Sequence, residues 1–229
     1  MRKPRTTHTP PPREAGPRSR SRSQAPKSID LAALRASRLK EAWFHRDARV
    51  VARALIGCLL VHEIDEETVR VAKIVETEAY RGPEDLACHA KAGLTARTRS
   101  LLGDPAHAYV FLVYGMHDCF NLTCLRAGAG HAVLIRAAEP VAGLEPGSLR
   151  GPGRFARAMG ITRAIDGSGV TGPPIYVCPR RTRPKIGVSA RVGVAYAGEW
   201  ADVLWRFFDA GSREVSRPPK SAIGRGSGA

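Results

Sequence analysis

The sequence holds no apolar run near the ~20 residues that a membrane-spanning helix needs, and its N-terminus lacks the apolar core of a secretory signal. A cytoplasmic protein is expected, not secreted, nucleoid-associated if bacterial, and without a membrane partner. Cysteine is scarce: Cys58, Cys88, Cys119, Cys124 and Cys178, an odd number with no C-x-x-C pair. A disulfide framework and a structural zinc site are therefore not expected. Cys88-His89 is the one Cys/His neighbour pair, and adjacent side chains rarely converge on one ion, so no metal is expected. No Rossmann or P-loop glycine pattern occurs, and no cofactor is expected. Acidic residues are few, 21 against 36 basic, for a net charge of +15.

That charge is uneven. Residues 1–28 carry eight basic residues, one acid and six prolines. With almost nothing apolar to bury, they read as a disordered basic tail that could add non-specific affinity for phosphates. The body from 29 to 216 is basic in its own right, which favours a polyanionic partner. Residues 217–229 are rich in Pro, Gly and Ser and read as a loose C-terminal tail.

Between the tails, residues 29–46 look helical with one wet face. Asp47 is a fitting N-cap for a helix over Ala48–Ile56, with Gly57 as its stop. Strands are predicted over Cys58–His62, Thr68–Tyr80, Ala108–Tyr114, Cys119–Leu125 and Ala132–Ala137. Further strands are predicted at Ile175–Cys178, Val192–Ala195 and Leu204–Phe208. Gly151-Pro152-Gly153 opens a short helix ending near Gly160. Short connections favour antiparallel pairing. The fold class is α+β: a single mixed domain with a curved, largely antiparallel sheet, flanking helices and a hairpin tip at Gly115-Met116-His117-Asp118.

Glu76, Glu78 and Tyr80 alternate on one strand and so share a face. Carboxylates at i and i+2 lie ~6.5–7 Å apart, from about 3.3 Å per residue, a spacing that can admit a water between an acid and a base. A plain solvated face is the competing reading. His89 follows in a loop. Asn121 is polar within the apolar strand C-F-N-L-T-C, so it serves either a structural network or a specificity gate. Arg136 interrupts Val133-Leu134-Ile135 and needs a carboxylate or carbonyl partner, with Glu78 and Glu139 the obvious candidates; a buried ion pair without chemistry is the competing reading. Tyr114, Met116 and His117 make an aromatic, thioether and imidazole tip that suits a wedge between base pairs; a turn folded onto the core is the alternative. Arg97 and Arg99 could meet phosphates or be solvated, and Arg154 joins them as a candidate phosphate contact.

The stretches IVETEAYRGPEDLACHA, AYVFLVYGMHDCFNLT, VLIRAAEP, GPGRFARAMGI and RVGVAYAGEW, in that order, resemble the alkyladenine (3-methyladenine) DNA glycosylase family. The resemblance covers the body from about residue 40 to 209 and excludes both tails. It implies a monomeric, metal-free enzyme acting on double-stranded DNA that contains damaged purines. Glu78 would deprotonate the attacking water, with Arg136 and the main-chain carbonyl of Val192 holding it. Tyr80 and His89 would form one side of the base pocket and Phe111 the other. Tyr114 would fill the space left by the flipped nucleotide, flanked by Met116 and His117, and Asn121 would stand against the guanine amino group.

The chemistry is consistent with that. An N3- or N7-alkylated purine is already cationic and a good leaving group, so one carboxylate can both activate water and stabilise the sugar cation. An aromatic sandwich attracts a cationic base by on the order of 1–2 kcal/mol, and flipping selects for weakened pairs. The motif places no lysine beside Glu78, so hydrolysis without strand scission is expected. Two positions depart from the family pattern: Phe111 stands where Tyr is usual, and Asp118 where an aromatic or apolar residue is usual. A carboxylate at the tip would repel phosphate if exposed. Two other functions compete. A non-catalytic nucleic-acid-binding protein of the same fold would not need Glu78 with Arg136. A sugar glycosidase using Glu76 and Glu78 would not explain the basic body.

Overall fold

The chain is seen in a computed structural model that describes residues 29–113 and 115–217. The basic N-terminal segment, Tyr114 and residues 218–229 lie outside the described residues, so the expectations for the two tails and for the wedge residue Tyr114 fall there.

The architecture follows from one long strand. β2 runs over Val69–Arg81, 13 residues, against a usual strand length of about five or six. Along one edge it pairs antiparallel with β5 (His131–Ala142). Along the other it changes partner. Val69–Lys73 pair with β1 (Leu59–Glu63), and Glu76–Glu78 pair with β9 (Arg206–Asp209). The sheet therefore divides at β2. On one side β1 continues to β7 (Ile175–Cys178) and β6 (Thr171–Gly172). On the other, β9 pairs with β8 (Ile186–Ser189). Beyond β5 lie β4 (His117–Cys124) and β3 (Ala108–Val113). Among the described residues nine strands, every pair antiparallel, form one curled sheet.

Two register slips allow the change of partner. Opposite β5, Ile74 pairs with Ala138, Glu76 with Ala137 and Thr77 with Ile135. Val75 is thus an extra residue on β2 and Arg136 an extra residue on β5. Such bulges bend a strand and re-aim side chains. Here they turn Arg136 toward Glu76 and Glu78.

α2 (Ala48–Leu55) packs beneath β2. Asp47 caps it, its carboxylate accepting from Arg49 N–H at 2.9 Å, and the chain leaves through Gly57 at φ +89°. Thr77 donates its hydroxyl to the carbonyl of Ala52, so the residue beside Glu78 is pinned to the helix. Leu55, Phe44, Ile74, Ile135, Phe120 and Phe155 are among the buried residues of the main core on that face. α3 (Pro152–Met159) has Pro152 at its first turn and ends at Gly160 in the left-handed region.

Two sequence expectations need correction. The helix expected over 29–46 is α1 (Leu31–Ser37) followed by a separate 3-10 turn at Glu41–Phe44. The chain turns extended at Arg38, and Leu39 N–H bonds to Val177 of β7, so tertiary pairing overrides local periodicity. The strand expected at Val192–Ala195 is a loop leading into a 3-10 segment over Ala195–Ala201. Val192 N–H is taken by a side chain instead of a ladder, and Gly193 has φ +79°. β8 was not expected. Its Gly187 is required by packing, because a Cβ there would lie 2.4 Å from the Phe208 ring.

Leu55 is fully buried under β2. Leu55→Ala should destabilise the fold by about 2–5 kcal/mol, the range for a buried leucine cut to alanine. Urea denaturation should show a lower midpoint at unchanged slope, and a loss under about 1 kcal/mol would contradict this packing.

Candidate active site

The register lines up one row of residues across five strands. Tyr109 pairs with Asn121, Asn121 with Leu134, Leu134 with Glu78, and Glu78 with Arg206. Paired residues point to the same face, so this row and its i±2 neighbours Phe111, Cys119, Ala132, Glu76, Tyr80 and Phe208 share the face away from α2. The sequence placed Glu76, Glu78 and Tyr80 together; the sheet adds Tyr109, Asn121 and Arg206.

Three donors converge on the Glu78 carboxylate. Val192 N–H donates to Oε1 at 2.7 Å, the Tyr80 hydroxyl donates to Oε2 at 2.9 Å, and Arg136 Nη1 lies 3.3 Å from Oε1. The Glu78 side chain is wholly shielded from solvent. An acceptor-only group suits such a set. Burial, and after it the neighbouring Glu78, hold the Tyr80 phenol well above its ordinary range, so Tyr80 stays a donor.

Glu76 is different in kind. Its Oε1 accepts from Arg136 Nε at 2.9 Å and Arg206 Nε at 2.7 Å, and its Oε2 accepts from Ser216 N–H at 2.6 Å. Burial alone would raise its pKa, but Arg136 and Arg206 outweigh it and hold the carboxyl below the usual carboxylate range. A proton-donating acid needs the opposite shift. With Arg136 between the two carboxylates and no exposure at Glu76, the acid-base pair of a sugar glycosidase is absent. Arg136 takes Glu76 and Glu78 as partners; Glu139, the other candidate, pairs with Lys73 and accepts from Ser212.

Of the expected pocket residues, His89 and Phe111 are in contact, their rings edge to face with centroids 4.5 Å apart. Tyr80 and Phe111 both pack against the buried cluster of Cys88, Ala90, Leu101, Tyr109 and Ala132, so the three expected pocket residues lie close together. His89 Nδ1 lies 2.8 Å from the hydroxyl of the buried Tyr109, a partner that the sequence analysis did not single out. Cys88 faces Gly130 instead, so the Cys88-His89 pair diverges. Asn121 is buried and donates to the carbonyls of Tyr109 and Cys119 at 3.0 and 3.4 Å. Arg97 lies over Phe111, 5.1 Å from the ring centroid. A cavity of about 370 Å³ beside Phe111 also meets Arg97, Arg163 and Asp166. A larger one of about 500 Å³ lies by Phe207 and α2, on the face opposite Glu78.

At the β3–β4 tip, Met116 is 72 % exposed, and His117 packs against Gly153, where a Cβ would lie 2.8 Å away. Arg154 bonds to the Gly147 carbonyl, and both it and Arg99 are exposed. Asp118 has an explanation: Arg163 Nε lies 3.2 Å from its carboxylate, so its charge is countered from the 3-10 turn Arg163–Ile165. Sequence reading also missed Asp85 and Arg191, a buried ion pair, because Asp85 sits in a polar, glycine-containing stretch and Arg191 at the edge of an expected strand, 106 residues away.

The sequence profile of the family described as methylpurine-DNA glycosylase (MPG) matches residues 42–213. A protein of Myxococcus xanthus is 49% identical over 184 residues, 79% of this chain and 94% of the relative. One from Anaeromyxobacter dehalogenans is 46% identical, covering 81% of this chain and 88% of the relative. One from Methanocella arvoryzae is 44% identical, covering 78% and 96%. All three carry the name "Putative 3-methyladenine DNA glycosylase". The class is therefore that of the DNA glycosylases, hydrolases of base-excision repair. Within it, the chain belongs to the methylpurine-DNA glycosylase family.

Burial first, then Arg97 and Lys91, push His89 down from 6.5 to about 4. Its imidazole should therefore be neutral at physiological pH, and an NMR titration should give a midpoint near 4, rising in Arg97→Gln. Because the folded value lies below the unfolded one, the unfolded chain takes up this proton first. The contribution of His89 to stability is then lost as pH falls from about 6.5 toward 4. A midpoint near 6.5 would contradict the placement of this ring.

Proposed function

We propose that the chain is a monofunctional glycosylase that flips alkylated or deaminated purines out of duplex DNA and hydrolyses the N-glycosidic bond, leaving an abasic site. The observation that carries this reading is the Glu78 carboxylate, shielded from solvent and aimed by Val192 N–H, the Tyr80 hydroxyl and Arg136. A carboxylate held this way can take a proton from one water admitted with the nucleotide, while bulk water stays out. As the glycosidic bond breaks, the same negative charge stabilises the cationic sugar. The Val192 carbonyl is the proposed second hold on the water.

Tyr80 and His89 on one side and Phe111 on the other are the proposed stacking surfaces. An N-alkylated purine leaves without protonation, which suits a site whose second carboxylate, Glu76, is locked by two arginines. Phe111 keeps the stacking ring and gives up a hydroxyl. Asn121 is the proposed gate against the guanine amino group, its side chain fixed by the bond to Tyr109. Tyr114 with Met116 and His117 is the proposed wedge in the DNA, and Arg97, Arg99 and Arg154 are proposed phosphate contacts. The basic tail over 1–28 adds charge attraction to the glycosylase domain over 29–216, which works as a monomer.

Glu78→Gln should lose base release by about 10³-fold or more, in the upper part of the range for general-base loss, while an abasic-site mimic is bound within a few-fold. Single-turnover assays read the first and fluorescence anisotropy the second. Retention of a tenth of the wild-type rate would remove Glu78 from this role. Glu76→Gln should act through stability, with a lower melting temperature and a milder loss of single-turnover rate.

A further inference from the structure

Asp85 and Arg191 form an ion pair with neither side chain exposed, Arg191 Nη1 and Nη2 reaching Oδ2 and Oδ1 at 2.5 and 2.8 Å. Replacing such a pair with apolar residues of similar volume is often neutral or stabilising, so stability alone is a weak reason for it. Its contacts give a better one. Arg191 also donates to the carbonyl of Ala79, the residue between Glu78 and Tyr80, and to that of Trp200. Its guanidinium lies against the Tyr80 ring, 4.9 Å from the centroid, and against Trp205 at 5.2 Å. The next peptide N–H in the chain, that of Val192, is the one on Glu78. Asp85 in turn accepts from the N–H groups of Arg81 and Ala87, and so shapes the loop that leads to His89.

We propose that Arg191, gripped by Asp85, is the positioning residue of this site, fixing the Glu78 carboxylate and the Tyr80 ring in one geometry. The proposal rests on Glu78 acting as the base. The Arg191 side chain is shielded from solvent, and its role in this proposal is exerted through its neighbours. It holds the main chain from which Val192 N–H reaches Glu78, and it backs the ring on which the base stacks. The fork, and not the charge alone, does this: two nitrogens grip Asp85 while the same two reach Ala79 and Trp200. A lysine carries the charge but cannot span four acceptors in one plane.

The test compares Arg191→Lys, Asp85→Asn and Glu78→Gln on whichever duplex the wild type processes fastest among hypoxanthine, 7-methylguanine and ethenoadenine. Single-turnover base release should fall on the order of 10²-fold in both Arg191→Lys and Asp85→Asn, the scale of a misplacement of about 1 Å. Affinity for a duplex carrying a tetrahydrofuran abasic mimic should stay within about threefold, which separates positioning from general loss of structure. Should either variant not fold, the double variant Asp85→Asn with Arg191→Gln, a neutral hydrogen-bonding pair, carries the same expectation. Wild-type rates in any folded variant of the pair, or rate and affinity lost in equal proportion, would overturn the proposal. Glu78→Gln separates the two readings. If it stays active, the base assignment fails; if it is inert while the Arg191 and Asp85 variants run at full rate, only the positioning role fails.

Discussion

Everything at this site depends on the Arg136 guanidinium lying between two buried carboxylates. Glu76 and Glu78 sit two residues apart on β2 with no exposure, and two such charges side by side in a low-dielectric interior repel strongly. Arg136 touches both, and Arg206 adds a second cation on Glu76. Removing Arg136 would leave Glu78 buried without the cation that faces it, at a cost of about 3–5 kcal/mol. The arrangement divides the roles. Glu76 has its charge tied down by two arginines, and Glu78 is left to donors that orient it, one of them a main-chain N–H.

The sheet is built to deliver that guanidinium. In regular register Arg136 would pair across the ladder like its neighbours, but the extra residues Val75 and Arg136 break the pairing where β2 exchanges β1 for β9. The bend that lets the sheet divide also aims the arginine. α2 supports the same segment from below through the Thr77 hydroxyl, so the face that carries Glu78 rests on the main core and not on loops. Loop residues enter afterwards, through Val192 and the Asp85–Arg191 pair.

Much of this was legible in the sequence, and the physical reason is periodicity. Alternation along Thr68–Tyr80 placed Glu76, Glu78 and Tyr80 on one face, and a lone arginine in Val133-Leu134-Ile135 announced a buried ion pair. The family likeness of ETEAYRGPED and VYGMH supplied the assignment that spacing alone left open between a hydrolase and a solvated strand. What the sequence hid is long-range. The partner of Arg136 depends on two register slips that no local pattern encodes. Val192–Ala195 has the composition of a strand, yet its N–H goes to Glu78. Tyr109 is only one residue of a predicted strand until the sheet sets it beside His89, and Asp118 reads as a misplaced charge until Arg163 comes to meet it.

The account's central claim is water-mediated base release with the DNA strand left intact. It is tested most directly by incubating the wild-type protein with end-labelled duplexes carrying hypoxanthine, 7-methylguanine, 3-methyladenine or ethenoadenine, and resolving the products before and after alkali. The account predicts free base and an intact strand before alkali, with cleavage at the lesion only afterwards, for at least one of these duplexes. Strand scission before alkali, or intact duplex after alkali for all four, would contradict it.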